Sequence, residues 1–352
     1  MSTTQHGTTS DITGTTTGSA GHPAPPDLPA TGSAATGRAP APRGRGRLDR
    51  RPVAWTADNV PDLAGRRAVV TGASAGLGRA LAGRLGAAGA DVVLVVRDEA
   101  RGAVVRDALV AAGARGRVTV ERADVADLDS VRALADRLDA SGEPVDGLVH
   151  NAGTGAAERL VTAQGHEVML ATHALGPFLL SQRLLPHLER GSSPRVVTVG
   201  TGLHRLVRAR LDVDDLEGER RYSPARAYVL TKLAGMVLAQ QLDRRLAATG
   251  SRVRSVVAHP GVARTALQSS GTTRAERVVA RVLSAAMGRD VEQSVLPILH
   301  AATADDVERD RLLGPGGPRE RTHVVSERHV GDVADPAVGA ALWDALDVLA
   351  RR

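Results

Sequence analysis

The chain has 352 residues and a formal charge of +6, with 42% apolar and only 1% aromatic residues, so its buried core must be built from Val, Leu and Ala. With no cysteine, disulfides, thiol catalysis and cysteine-ligated zinc are excluded together, and the composition fits a reducing, cytoplasmic setting. The positive charge does not point to nucleic acid: residues 1–50 hold five arginines against three aspartates, arginines elsewhere alternate with acids along stretches such as Val131 to Leu138, and there are almost no aromatics to stack on bases.

In chain order, residues 1–54 are rich in Thr, Gly, Ala, Ser and Pro without a hydrophobic period. Such a segment buries too little apolar surface to offset its ordering entropy, and a disordered tail is expected. The run Arg43-Gly44-Arg45-Gly46-Arg47 reads as solvated linker. No secretory apolar core and no apolar run of about 18 residues is present, so no membrane span is expected.

From Trp55 onward, short Val-rich runs alternate with Ala/Leu/Arg helical stretches. Arg67–Val70, Asp91–Val96, Arg117–Arg122, Gly147–Val149, Arg195–Val199 and Val253–Ala258 read as buried strands, with helices between them such as Gly76–Ala88 and Leu128–Leu138. Strands alternating with helices imply βαβ units. The expected fold is one α/β domain over residues 55–352: a Rossmann-type, doubly wound parallel sheet of about seven strands with helices on both faces. Ligands then sit beyond the carboxyl ends of the strands.

The first strand runs into Thr71-Gly72-Ala73-Ser74-Ala75-Gly76-Leu77-Gly78 and directly into a helix. Glycines here let the backbone turn tightly and approach a pyrophosphate, which the N–H groups and positive dipole of the helix start attract. The next strand ends at Val96, followed by Arg97 and Asp98. A neutral strand end followed by arginine suits a 2′-phosphate, and hence NADP(H). The competing reading leaves Arg97 solvated and gives the ribose to Asp98.

The chain has 45 basic residues, yet Lys232 is its sole lysine, and one of its two tyrosines, Tyr228, stands four residues earlier. On a helix these share a face. A phenol titrates near pH 10, too high for easy acid–base work at neutrality, and a nearby ammonium is expected to lower it.

These residues resemble the short-chain dehydrogenase/reductase superfamily over nearly everything from Trp55 to Arg352. Its Thr-Gly-x-x-x-Gly-x-Gly matches Thr71 to Gly78, its Asn-Ala-Gly matches Asn151-Ala152-Gly153, its Tyr-x-x-x-Lys matches Tyr228 to Lys232, and its Pro-Gly matches Pro260-Gly261. Arg97-Asp98, Arg221-Tyr222-Ser223 and His259-Pro260-Gly261 resemble the retinol-dehydrogenase-like and protochlorophyllide-reductase-like branch, which mostly uses NADPH.

The resemblance implies roles. Tyr228 would donate a proton to a carbonyl oxygen as hydride arrives from the nicotinamide, and Lys232 would hold the ribose hydroxyls. Gly72, Ser74, Gly76, Leu77 and Gly78 would cradle the pyrophosphate, Asp124 and Val125 the adenine side, and Asn151, Ala152 and Gly153 would line the cofactor. Thr265 would meet the nicotinamide amide. The substrate would be a small apolar carbonyl or alcohol, under loops near Leu203–Arg221 and Val262–Glu292. Oligomeric state is left open, since members of the family pair through long helices or stand alone. No metal site is expected: the eleven histidines are scattered and none forms an i, i+4 pair flanking a glutamate.

Two positions depart from the family pattern. Thr201 stands where the family has its serine, keeping a hydroxyl but adding a methyl and a restricted rotamer. His173 stands where the family has an asparagine that supports a relay water. Its backbone could keep that role, its ring could join the relay, or it could be a packed structural histidine. These departures keep a second reading open, a catalytically silent or impaired NADPH-binding protein.

Overall fold

The computed structural model describes Met1 and residues 49–206, 209–261, 290–316 and 323–351. Nine strands form one sheet: β1 (Arg50–Val53), β2 (Arg67–Thr71), β3 (Asp91–Val96), β4 (Val118–Arg122), β5 (Gly147–His150), β6 (Arg195–Val199), β7 (Arg254–Ala258), β8 (Arg311–Pro315) and β9 (Val324–Arg328). Their spatial order is β1-β9-β8-β7-β6-β5-β2-β3-β4. From β4 through β8 every pairing is parallel, whereas β9 and β1 add to the edge antiparallel. The strand order reverses between β2 and β5, which makes the crevice beyond their carboxyl ends the expected ligand site.

The expected parallel α/β sheet is therefore present, with nine strands in place of about seven. One extra strand, β1, lies inside the segment read as tail, because Arg50-Arg51-Pro52-Val53 has no apolar alternation to announce it. Partners distant in sequence hold it instead. It pairs from Arg50 opposite Glu327 to Val53 opposite Val324, and Arg50 Nε lies 3.1 Å from the Glu327 carboxylate. Beside it, Asp49 meets Arg311 at 3.2 Å and Arg328 at 3.3 Å.

Apolar residues fill both faces of the sheet, as the continuous Val/Leu runs of parallel strands require. On β3, Val93 and Val95 face one core cluster while Val92, Leu94 and Val96 face the other. The first cluster is covered by α3 (Leu128–Ala140), α5 (Gly176–Glu189), α7 (Pro224–Ala248) and α10 (Pro336–Ala350). The second is covered by α1 (Gly76–Ala87), α2 (Glu99–Ala111), and the short α8 (Val291–Ser294) with α9 (Leu296–Thr303). Two of the few aromatics meet where α10, packed along α7, reaches α5: Trp343 lies edge-on against Phe178 at 5.0 Å, and the Arg245 guanidinium lies 4.3 Å from the Trp343 ring centre.

Between β5 and α5 the chain forms α4 (Val168–Leu170), then a π-helical turn over Ala171–Leu175. π-turns recur at functional sites, and this one carries His173. The backbone of α7 closes onto it at Gly235, where a Cβ would lie 2.5 Å from the His173 carbonyl oxygen.

Candidate active site

The loop after β2 is tied to the loop after β5 by reciprocal hydrogen bonds. Thr71 Oγ1 donates to the Val149 carbonyl at 3.2 Å and accepts the N–H groups of Asn151 and Ala152, both at 3.1 Å. Asn151 Nδ2 donates back to the carbonyls of Thr71 at 2.8 Å and Gly72 at 3.2 Å. Glycines are required for the approach. Gly72 has φ +67° and a Cβ there would lie 2.9 Å from Ala152 Cα, while a Cβ on Gly78 would fall 2.4 Å from the Gly72 oxygen.

The same loop leaves the start of α1 open. Its N-cap is Ala75, with no side-chain cap and no acid in the first turn, whereas α2 and α3 begin on Asp98 and Asp127, each accepting backbone N–H groups. Uncapped N–H groups behind a glycine turn fit an anionic pyrophosphate. Asp98 is engaged as that cap, taking the Arg101 N–H at 3.1 Å. Arg97 beside it is 76% exposed, with Asp124 at 4.0 Å as its ionic partner, so its guanidinium is available at the end of β3. Asp124 accepts the Ala126 N–H at 3.0 Å. Val125 packs its carbonyl onto the start of α5, where a Cβ on Gly176 would be 2.1 Å away.

The candidate catalytic side is built on α7 and the end of β6. Ser223 caps α7 and Pro224 opens it, both good helix-start residues. Lys232 is buried and its Nζ donates to the Val199 carbonyl at 2.9 Å. Burial lowers it to about 8, which leaves it largely charged at neutral pH. Thr201, two residues past Val199, is also buried, and its Oγ1 accepts the Leu203 N–H at 3.2 Å. That bond occupies a lone pair and leaves the hydroxyl proton to be donated elsewhere.

The two tyrosines separate clearly. Tyr222 donates to the Glu167 carboxylate at 3.0 Å, and burial together with that carboxylate pushes its phenol up. Among the described residues Tyr228 has no such partner; it lies edge-on to His173, ring centres 5.7 Å apart. Burial raises Tyr228 as well, which corrects the expectation that Lys232 would lower it. The cause is the loss of hydration that burial imposes on the phenolate.

His173 is brought beside Tyr228, and Gly153 lies against both His173 and Lys232: a Cβ on Gly153 would lie 3.3 Å from Lys232 Nζ and 3.5 Å from His173 Nε2. Gly261 has φ +71° and its N–H meets His259 Nδ1 at 3.2 Å, so Pro260-Gly261 turns the chain at the end of β7. Thr265, and the expected lid over residues 262–289, lie outside the described residues.

Sequence reasoning missed several members of the site. Thr71 appeared only as a motif letter, although its hydroxyl organises both loops. Thr154 directly follows the Asn-Ala-Gly motif and Thr231 directly precedes Lys232; adjacency was the only signal, and neither type is distinctive. Glu167 and Glu217 were invisible as partners, yet Glu167 caps α4 at Leu170 with a 2.7 Å bond and Glu217 takes the Glu167 N–H at 2.6 Å.

Known proteins resemble this chain in sequence and in fold. A model of the short chain dehydrogenase family matches residues 66–210. The polyprenol dehydrogenase of Mus musculus is 37% identical over 289 residues, covering 81% of this chain and 83% of that protein. The human retinol dehydrogenase 12 is 34% identical over 205 residues, 58% of this chain and 64% of its own length. Among solved structures, a protein described as uncharacterised from Mycobacterium paratuberculosis superposes with a TM-score of 0.67 at 33% identity, covering 84% of this chain and 97% of its own. A short chain dehydrogenase from Burkholderia cenocepacia solved with NADP gives 0.55 at 27% identity, over 69% of this chain and 93% of its own.

Proposed function

Because this chain belongs to the short-chain dehydrogenase family, and to its retinol-dehydrogenase-like branch, we propose that it is an NADP(H)-dependent oxidoreductase that interconverts a carbonyl and an alcohol on a small apolar substrate, with Tyr228 as the acid. The observation that carries this reading is the Lys232 anchor on Val199, which ties the helix bearing Tyr228 to the strand end that leads into Thr201. Bound along the β2 and β5 loops, the reduced nicotinamide would supply the hydride.

The remaining work belongs to the chain. Gly72, Ser74, Gly76, Leu77 and Gly78 would hold the pyrophosphate against the uncapped start of α1, and Arg97 the 2′-phosphate by a charge-assisted contact. Asp124 and Val125 would flank the adenine, and Asn151, Ala152 and Gly153 the ribose side. Pro260, Gly261 and Thr265 would close on the nicotinamide side. Thr201 would hydrogen-bond the substrate oxygen through its hydroxyl while keeping its own proton. Tyr228, held protonated at neutral pH by its burial, would release its proton to that same oxygen as negative charge develops there. Lys232 would hold the ribose hydroxyls through its ammonium protons.

The relatives named for polyprenol and retinol support an apolar alcohol. So do Leu160 and Val161, exposed between β5 and α4, and Leu203, exposed just beyond β6. No helix among the described residues is long and apolar enough to cross a membrane. The absence of cysteine from the chain supports a reducing compartment, and we place the reaction in the cytoplasm.

Tyr228→Phe tests the role of the phenol. With a panel of apolar aldehydes and NADPH, turnover should fall by at least about a hundredfold, within the range general acids contribute, while NADPH affinity stays within about twofold. Undiminished turnover would remove Tyr228 from the chemistry. A wild-type protein that binds NADPH but turns over nothing would favour the silent reading suggested by Thr201 and His173.

A further inference from the structure

His173 has both ring nitrogens committed. Nε2 accepts the Thr154 N–H at 3.1 Å, and Nδ1 lies 2.9 Å from Thr231 Oγ1. The Thr231 hydroxyl donates to the Ala227 carbonyl one turn back at 2.8 Å, so it can only accept from the imidazole. This directionality fixes the tautomer: the proton sits on Nδ1, and the lone pair of Nε2 faces Thr154. The residue is 4% exposed and its backbone is held against Gly235 of α7. Burial first, and the Lys232 charge second, hold its pKa well below the usual histidine range.

We propose that His173 is a positioning residue: a neutral clamp that, with Thr231, fastens the loop after β5 to helix α7 and so fixes Gly153 against Lys232 beside Tyr228. The idea rests on the oxidoreductase reading for its purpose but not for its geometry. The clamp spans the two segments that a working site must hold in register, one lining the cofactor and one carrying the acid. The partner of Nε2 is a backbone amide that does not release its proton, and Thr231 gives its own proton to the Ala227 carbonyl, so His173 has no partner through which to relay a proton. Thr231 thereby gains a role as the acceptor that sets the tautomer.

Two measurements on the full chain, with NADPH present, test this. The first needs no turnover: nitrogen NMR of histidine-labelled protein, with the His173 signal assigned by loss in His173→Asn. A protonated Nδ1 and unprotonated Nε2, unchanged from about pH 5.5 to 8.5, is expected for a neutral buried ring. Titration within that range, or the opposite tautomer, would overturn the clamp. The second compares Thr231→Val with Thr231→Ser. Losing the acceptor should speed hydrogen exchange at the Thr154 amide by about five- to tenfold, the weight of one hydrogen bond, and lower kcat similarly with the pH profile unmoved; the serine variant should restore both. Unchanged exchange in Thr231→Val overturns the proposal. Absence of NADPH binding by the wild-type protein would instead defeat the oxidoreductase reading and leave the NMR result standing.

Discussion

At the scale of single residues, the proposed discrimination between cofactors rests on Arg97. Its guanidinium is exposed at the end of β3 while Asp98 is occupied as the cap of α2. One charge-assisted hydrogen bond is worth about 1.5–3 kcal/mol, so Arg97→Asp should weaken NADPH binding by roughly ten- to a hundredfold and leave NADH within about threefold. Equal loss for both cofactors would mean that the substitution only disturbs α2. Thr201→Ser should keep turnover with the original substrate within about fivefold, because the Leu203 N–H bond that orients the hydroxyl is available to serine too. What the sequence could not show at this scale is direction. The Tyr228–Lys232 spacing was legible, but that burial governs the phenol depends on how the fold encloses it, and the lysine's own partner, Val199, is 33 residues away along the chain. The roles of Thr71, Thr154 and Thr231 were hidden for a related reason: threonine is common in this chain, and only the fold selects these.

At the scale of elements, a tightly constrained junction is the crossing of α1 under the β2 loop. Gly78→Ala would place a Cβ 2.4 Å from the Gly72 oxygen and 2.5 Å from Asn151 Nδ2, displacing the amide that binds the loop. Overpacking of this kind costs about 1–3 kcal/mol. A lowered Tm together with roughly tenfold or greater weakening of NADPH binding is expected; unaltered affinity at wild-type Tm would show that the loop yields freely. The central strands were readable from their Val-rich runs, since strands buried on both faces must be continuously apolar. β1 and β9 were not. β9, Val324-Val325-Ser326-Glu327-Arg328, ends in three polar residues, and β1 contains two arginines and a proline; both are defined by antiparallel pairing and by ion pairs such as Arg50–Glu327, which carry no local signature.

For the whole molecule, the buried histidines make stability depend on pH. Burial lowers His150 to about 3 and His300 to about 4, against about 6.5 in the unfolded chain. Both must be neutral in the folded state, so between about pH 6.5 and 4 the unfolded state binds more protons and stability falls as pH falls, by about 1.4 kcal/mol per pH unit for each fully shifted group. Lys232, lowered to about 8, acts at the other end: stability should rise from about pH 8 toward 10.5 as the folded state is relieved of a buried ammonium. His300 isolates the acid effect. Among the described residues neither of its ring nitrogens has a hydrogen-bond partner, and Asp306 stands 3.6 Å away. His300→Leu should raise Tm at about pH 5 and flatten the acid limb; an unchanged slope would assign the acid sensitivity to the carboxylates.

The central claim is that the crevice between β2 and β5 binds NADPH. Calorimetric titration of the wild-type protein with NADPH and, separately, with NADH tests it most directly. One site per chain for NADPH, with NADH roughly tenfold or more weaker, is the expected result. Binding of neither nucleotide would contradict the account from the glycine loop outward.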